Sequence, residues 1–189
     1  VMMYCGLRRG ELLALTWGDV DTKNKRITIN KAVYYVRNAA EIKPPKSKAG
    51  NRTIQIPDAI IPALQNRRRA SMLVCPSMQT GGVMSYTAFQ AAWRSYQHYL
   101  NIAAGGKDAS RSNPKIQAVE PFTAHQLRHT YATMLYDAGV DVLTAQRLLG
   151  HADVQTTMRI YTHLSKQKEQ QSIAALNAHI GSEIAAIKF

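Results

Sequence analysis

Acidic side chains are scarce in this chain of 189 residues: 12 Asp and Glu stand against 24 Lys and Arg, for a formal net charge of +12. Such an imbalance favours a polyanionic partner, nucleic acid above all. Cysteine is nearly absent. Cys5 and Cys75 lie in unrelated contexts without metal-ligand spacing, which leaves a reduced, cytoplasmic chain whose thiols fill core. Long apolar runs are missing too, and none approaches the ~20 residues needed to span a bilayer. No secretory signal is visible, and the chain opens at Val1 inside a helical pattern, so an upstream segment is expected to precede it. What is present is 46% apolar content, enough for one domain with a real core.

The positive charge is concentrated. Residues 1–115 carry 18 basic and 6 acidic side chains, whereas residues 116–189 carry 6 of each. The nucleic-acid-facing electrostatics therefore belong to the first part. Val1–Cys5 reads as the last turn of a helix closed by Gly6, and a short helix follows over Arg9–Leu15. Alternation of β-branched residues predicts strands between Lys25 and Val36 and again over Arg52–Ile56. The segment Lys43–Asn51 between them, rich in lysine and ending in glycine, reads as a basic hairpin tip able to enter a DNA groove. Helices are predicted over Asp58–Ala70, which ends in Arg67, Arg68 and Arg69, and over Ser85–Ile102, where Phe89, Trp93, Tyr96 and Leu100 form a core-facing stripe. Residues 103–119 read as a loop of variable conformation; Gly105-Gly106-Lys107 is followed by Asp108 and lacks the spacing of a phosphate-binding loop.

From Thr123 onward the pattern is helical: Thr123–Asp137, Val140–Leu149, Val154–Tyr161 and a last stretch from Ser165. In that stretch Ile173, Leu176, Ile180, Ile184 and Ile187 form one narrow apolar stripe. It fits either a helix packed on its own domain or an arm that docks on a partner.

The residues that carry chemistry come from separate segments. His125 and Arg128 are three apart, on one helix face, and can address one phosphate. Arg8 and Arg128 are two guanidinium forks suited to nonbridging phosphate oxygens. His151, after Gly150, can add a hydrogen bond or act on a proton, and Tyr161 supplies a phenol that can attack. Each piece alone is weak. Their order is not: Gly6-Leu7-Arg8-Arg9-Gly10-Glu11, then His125-Gln126-Leu127-Arg128-His129, then Leu148-Leu149-Gly150-His151, then Tyr161-Thr162-His163.

On these motifs the chain resembles the catalytic domain of the tyrosine recombinases, the phage integrase family, over almost its whole length. The resemblance implies a mainly helical α+β fold with a small antiparallel three-stranded sheet at one edge. It implies Arg8, His125, Arg128 and His151 around a scissile phosphate, Tyr161 as nucleophile, Glu11 in support and a lysine in the hairpin. A lysine followed by Ser or Thr favours Lys46, with Lys48 the competitor. Lys43, Lys48, Arg52 and Arg9 are expected on the DNA-facing surface. Also implied are strand cleavage through a 3′-phosphotyrosyl bond without metal or nucleotide cofactor, double-stranded DNA as partner, a tetrameric synapse and a cytoplasmic setting. Residues 1–164 would form the catalytic unit and 165–189 a tail, which the resemblance tilts toward docking in trans. The long 103–119 segment suggests a phage or conjugative element rather than a chromosome-dimer resolvase.

Three rivals stand beside this reading. His125 and His129 are four apart and could bind zinc with His151 or His163, although Arg128 between them would repel a cation. The chain could bind DNA without chemistry, or act as a type IB topoisomerase.

Overall fold

The structure, a computed structural model, describes residues 1–66, 71–109 and 114–186, with side chains to residue 182. The mixed, mainly helical class expected from the sequence is found. Helix α1 (Met2–Cys5) ends at Gly6, whose φ of 65° lies in the left-handed region. A side chain there would also collide with the Tyr131 ring, 2.2 Å from an added Cβ, so glycine is required twice over. Arg8 then caps α2 (Arg9–Ala14).

A three-stranded antiparallel sheet is built from β1 (Val20–Asp21), β2 (Arg26–Ile29) and β5 (Arg52–Gln55), in the order β1-β2-β5. Ile27 faces Ile54 across the ladder and Ile29 faces Arg52. Alternation sends Ile27, Ile29 and Ile54 into a core shared with Cys5, Leu7, Leu15, Ile56 and Leu64. Each such aliphatic side chain contributes about 1.5–3 kcal/mol by leaving water.

Membership of the sheets differs from expectation. β3 (Ala32–Val36) does not join the three-stranded sheet; it pairs with β4 (Ala39–Lys43) in a separate two-stranded one. Ala39-Ala40-Glu41 is poor in strand-forming residues, and the turn at Arg37-Asn38 has no glycine, Arg37 itself taking φ 56°. Both signals of the hairpin are thus muted in the sequence. Lys43–Asn51 is consequently not a hairpin tip but the crossover between the two sheets, with a 3₁₀ turn at Lys48–Gly50. Asn38 also anchors the next helix, accepting from Tyr86 N at 3.3 Å and, through Oδ1, from Thr87 N at 3.0 Å.

The helix expected over Asp58–Ala70 is a 3₁₀ turn, Asp58–Ile60, followed by α3 (Ile61–Gln65); Arg67, Arg68 and Arg69 lie outside the described residues. Helix α4 (Tyr86–Ala103) is capped by Ser85, α5 (Ala124–Asp137) by a Thr123–Gln126 capping box, and α6 (Val142–Leu149) by Asp141. The described part of 103–119 is pinned rather than variable. Asn101, buried, accepts from Ala118 N and Val119 N at 2.8 and 3.0 Å, and Lys107 bridges Ile116.

The expected break after Tyr161 is absent: α7 (Val154–Ala186) is one helix of 33 residues, roughly 50 Å long. Its first turns pack Tyr161 with Ala132, Leu135, Ala145 and Leu149. From Ser165 to Ser182 it is exposed, with Ile173, Leu176 and Ile180 at 52%, 56% and 43%. The described members of the apolar stripe, Ile173, Leu176 and Ile180, are therefore not packed on the rest of the chain; the side chains of Ile184 and Ile187 lie outside the described residues. No described helix is long and apolar enough to cross a membrane.

Candidate active site

Helix α6 ends in a cluster of positive charge. The last carbonyls of a helix have no intrahelical donor and sit at the negative end of its dipole. Here three consecutive carbonyls each accept from a different arginine: Leu148 O from Arg52 Nε at 2.9 Å, Leu149 O from Arg128 Nη2, and Gly150 O from Arg8 Nη2 at 2.8 Å. Gly150 closes the helix at φ 62°, and an added Cβ would meet Arg52 Nη1 at 2.6 Å and Ala49 O at 2.9 Å. His151 is the next residue. One helix terminus thus gathers side chains from β5, α5 and the start of α2.

Glu11 supplies the counter-charge. It is buried, 3% exposed, and accepts from Arg8 N and Nη1 at 2.8 Å each and from Arg52 Nη1 and Nη2 at 3.0 Å each. Burial by itself would raise its pKa; the hydrogen bonds and charge of Arg52, then the bonds from Arg8, override that and bring it down to about 2. Arg128 is buried as well and donates to Gly6 O at 2.7 Å. Burial first, then the charge of Arg8, lowers its pKa to about 9, so it stays protonated at neutral pH.

A cleft of about 390 Å³ opens onto these groups, lined by Arg8 from the α2 cap, by His125, Arg128, His129 and Ala132 from one face of α5, and by His151, Thr156 and Ile160. A second cleft, of about 660 Å³, shares Arg8, His125 and Arg128 with it. Four of the residues singled out from sequence, Arg8, His125, Arg128 and His151, are brought together. His125 and His129 rings meet edge to face at 4.8 Å, and among the described residues no group of three or more His, Cys, Asp or Glu is placed to hold a metal.

Both site histidines are poised neutral. The pKa of His151 falls to about 4, through burial first and then the charges of Arg128, Arg8 and Arg52; that of His125 is lowered by burial, His129, Arg128 and Arg8. His151 Nδ1 lies 2.9 Å from Thr157 Oγ1, and Thr157 is fully buried in α7. When that hydroxyl donates, Nε2 keeps the proton and can donate into the cleft. In sequence Thr156-Thr157 belongs to the ordered motifs between His151 and Tyr161 but carries no role of its own: Thr157 follows His151 by six residues with a helix start between them, a spacing that signals no contact. Replacing Thr157 with Val keeps its volume and removes the bond. The ¹⁵N shifts of His151 in Thr157→Val are expected to show a mixture of tautomers where the unsubstituted chain shows one; identical spectra would leave Thr157 a packing residue.

The remaining expected residues lie elsewhere. Tyr161 does not line the cleft. Its ring is 9% exposed in the core under α6, its hydroxyl donates to Val140 O at 3.0 Å, and its pKa is raised by burial and then by Asp141. Lys46 is exposed, its ammonium 5.6 Å from the centre of the Tyr34 ring. Lys48 is also exposed; its neighbour Ala49 lines a third cleft, of about 500 Å³, that His151 borders. Lys43 pairs with Glu41 at 2.5 Å, and Arg9 lies over Phe89 at 5.2 Å and Tyr35 at 5.5 Å. Arg52, expected to face DNA, is corrected by its burial: at 6% side-chain exposure it is engaged with Glu11, Leu148 O and Gly50 O.

Known proteins share this architecture. The chain is 32% identical over 187 residues to a protein named tyrosine recombinase XerC-like from Caldanaerobacter subterraneus subsp. tengcongensis, covering 91% of this chain and 46% of that one. It is 26% identical to the ICEBs1 integrase of Bacillus subtilis, covering 89% of this chain and 45% of that one. The chain spans about half the length of the curated relatives it matches. In fold it is similar to the Tn1549 transposon integrase in complex with transposon right end DNA, with a TM-score of 0.66 at 23% identity over 92% of this chain and 56% of that chain. For XerA recombinase the TM-score is 0.60 at 23% identity, over 91% and 55%. Residues 1–168 match the Phage integrase family, and the chain belongs to that family.

Proposed function

We propose that this chain is the catalytic part of a site-specific DNA recombinase that cleaves and rejoins strands through a 3′-phosphotyrosyl bond. The carrying observation is the convergence of Arg8, Arg128, His125 and His151 on one cleft, their charge anchored by buried Glu11. The guanidiniums would neutralise the pentacoordinate phosphate, and neutral His151 would donate to a nonbridging oxygen. The Tyr161 oxygen attacks phosphorus while its phenolic proton passes to the neutral imidazole of His125, the bond to the 5′ oxygen breaks, and that oxygen takes a proton from a lysine. A strand's 5′-hydroxyl later attacks the phosphotyrosine and reverses the step. For attack the phenol must leave its bond to Val140 O. Ile160 lines the cleft and Tyr161 follows it, about 100° further around α7, so rotation or partial unwinding of that first segment would deliver the ring.

Residues 1–164 are proposed as the catalytic unit on double-stranded DNA and 165–189 as an arm that docks in trans within a tetramer; the exposed Ile173, Leu176 and Ile180 support this. A cytoplasmic protein of a mobile element fits the likeness to the ICEBs1 integrase and to the integrase of Staphylococcus phage L54a.

Incubation with a nicked suicide duplex, in which the short fragment bearing the new 5′-hydroxyl is lost, is expected to leave an SDS-resistant protein–DNA adduct, with peptide mapping placing the link on Tyr161. Binding without adduct would return the chain to an inert DNA-binding module. The same assay ranks the lysines. Lys46 and Lys48 are both candidates for the acid: the true one, changed to Ala, is expected to lower the cleavage rate by ~10²–10⁴ while the other stays near wild type. A substrate with a 5′-phosphorothiolate leaving group, which needs no acid, is expected to restore the rate of the variant that lost it.

A further inference from the structure

Resting on the reading of this cleft as the strand-cleaving site, we propose that Arg52 is a positioning residue for the reaction. It holds Glu11, and through it Arg8, against the turn that carries His151, and it ties the lysine-bearing crossover to the same anchor.

The guanidinium is a fork closed on both sides. Nη1 and Nη2 each lie 3.0 Å from a different Glu11 oxygen, Nε lies 2.9 Å from Leu148 O, and Nη1 also donates to Gly50 O at 3.2 Å. Four of its five N–H groups are thereby used, and the side chain is 6% exposed, so no face remains to grip a phosphate. The partners are 41 residues away at Glu11 and 96 at Leu148, so one buried side chain fixes the relative placement of α2, β5 and the end of α6. Gly50 closes the turn that begins at Lys48, and Arg52 shares its cleft with Ala49 and His151. Motion of the crossover is thus coupled to the arginine that Glu11 orients. A planar, bidentate donor is needed for this; lysine, a point charge, reproduces one contact at most.

Glu11 is the reporter. The charged groups facing it are Arg8 from the α2 cap, Arg52 from β5 and Arg128 from α5. In Arg52→Gln the burial of Glu11 persists while its largest opposing partner is gone. Its side-chain ¹³C carboxyl signal, followed by NMR in the free protein, is expected to titrate at ~4 or above, in or beyond the ordinary range, rather than near 2. Single-turnover cleavage of the suicide duplex is expected to fall roughly 10²-fold, with an acid limb appearing in its pH profile, while DNA affinity and its salt dependence stay as they were. A salt slope smaller by about one, with Glu11 still titrating low, would make Arg52 a phosphate contact and overturn the proposal.

Arg52→Lys covers a fold failure of the Gln variant. It is expected to fold, to bind DNA normally and to cleave about 10-fold slower; cleavage at the wild-type rate would also overturn the proposal. An unsubstituted chain that folds but yields no adduct rejects the cleavage reading alone, because the Glu11 titration still tests what Arg52 holds.

Discussion

Tyr161→Phe is expected to abolish the covalent adduct altogether while leaving DNA affinity within about twofold, since the phenol contributes no charge and the cleft lining keeps both arginines. The loss should reach the detection limit, because among the described residues no other tyrosine lines the cleft and the aliphatic hydroxyl of Thr156 is a far poorer nucleophile and leaving group than a phenol. Tyr131 packs against Gly6 with its pKa raised by burial, and Tyr136 shares its hydroxyl with Ser165 Oγ at 2.9 Å. A second effect distinguishes this substitution from an ordinary active-site deletion. Tyr161 donates to Val140 O in the resting fold, so the Phe variant loses a hydrogen bond worth about 1 kcal/mol. Its thermal midpoint should fall by about 2–4 °C for a domain of this size. A nucleophile held ready in an aqueous cleft would show no such cost. An adduct persisting in Tyr161→Phe would move the chemistry to another residue; an unchanged midpoint would mean that the ring already lies outside the core in solution.

Most of the site was legible because its chemistry sits on strong local signals. Thr123 and Gln126 start α5, so His125 and Arg128 share a face by helical spacing alone. Gly6 and Gly150 mark the two turns that present Arg8 and His151. What the pattern hid depends on contacts remote in sequence. Arg52 looks like any cation beside a basic loop, and only its 41-residue reach to Glu11 makes it internal. Tyr161 and Ile160 are adjacent, and periodicity does not say which of them faces the cleft when the helix is apolar on both sides. The strand Ala39–Lys43 carries no signal of its own, since Ala and Glu have weak β preference and pairing with Ala32–Val36 decides its state. The helix expected to stop after Tyr161 runs on through Ser165 because no glycine or proline intervenes.

Removing the one carboxylate among three guanidiniums should give the largest change in stability. In Glu11→Gln the cations of Arg8, Arg52 and Arg128 are left facing one another with no anion between them, two of them almost wholly buried. Breaking a buried pair from one side costs about 3–5 kcal/mol, so the urea midpoint should drop severely or the chain should fail to fold. The acid dependence checks the cause. The folded-state pKa of Glu11 is depressed to about 2 from the ordinary 4.5, so its contribution is complete above pH 4.5 and is lost as pH falls through 2. For a side chain 3% exposed, that shift corresponds to roughly 3 kcal/mol, the same order as the buried-pair figure. His151 acts in a neighbouring window: its folded pKa near 4 lies below the ordinary 6.5, so protonation favours the unfolded chain as pH drops from 6.5 toward 4. Wild-type stability should therefore decline in two stages, and Glu11→Gln, measured in stabilising osmolyte if necessary, should keep the upper stage and show a much smaller lower one, the remainder resting on Asp19, whose burial raises its pKa but whose bonds to Lys31 and Thr16 outweigh that and lower it. If the lower stage survives undiminished in Glu11→Gln, other carboxylates carry the acid sensitivity and Glu11 is not the group that holds these arginines together.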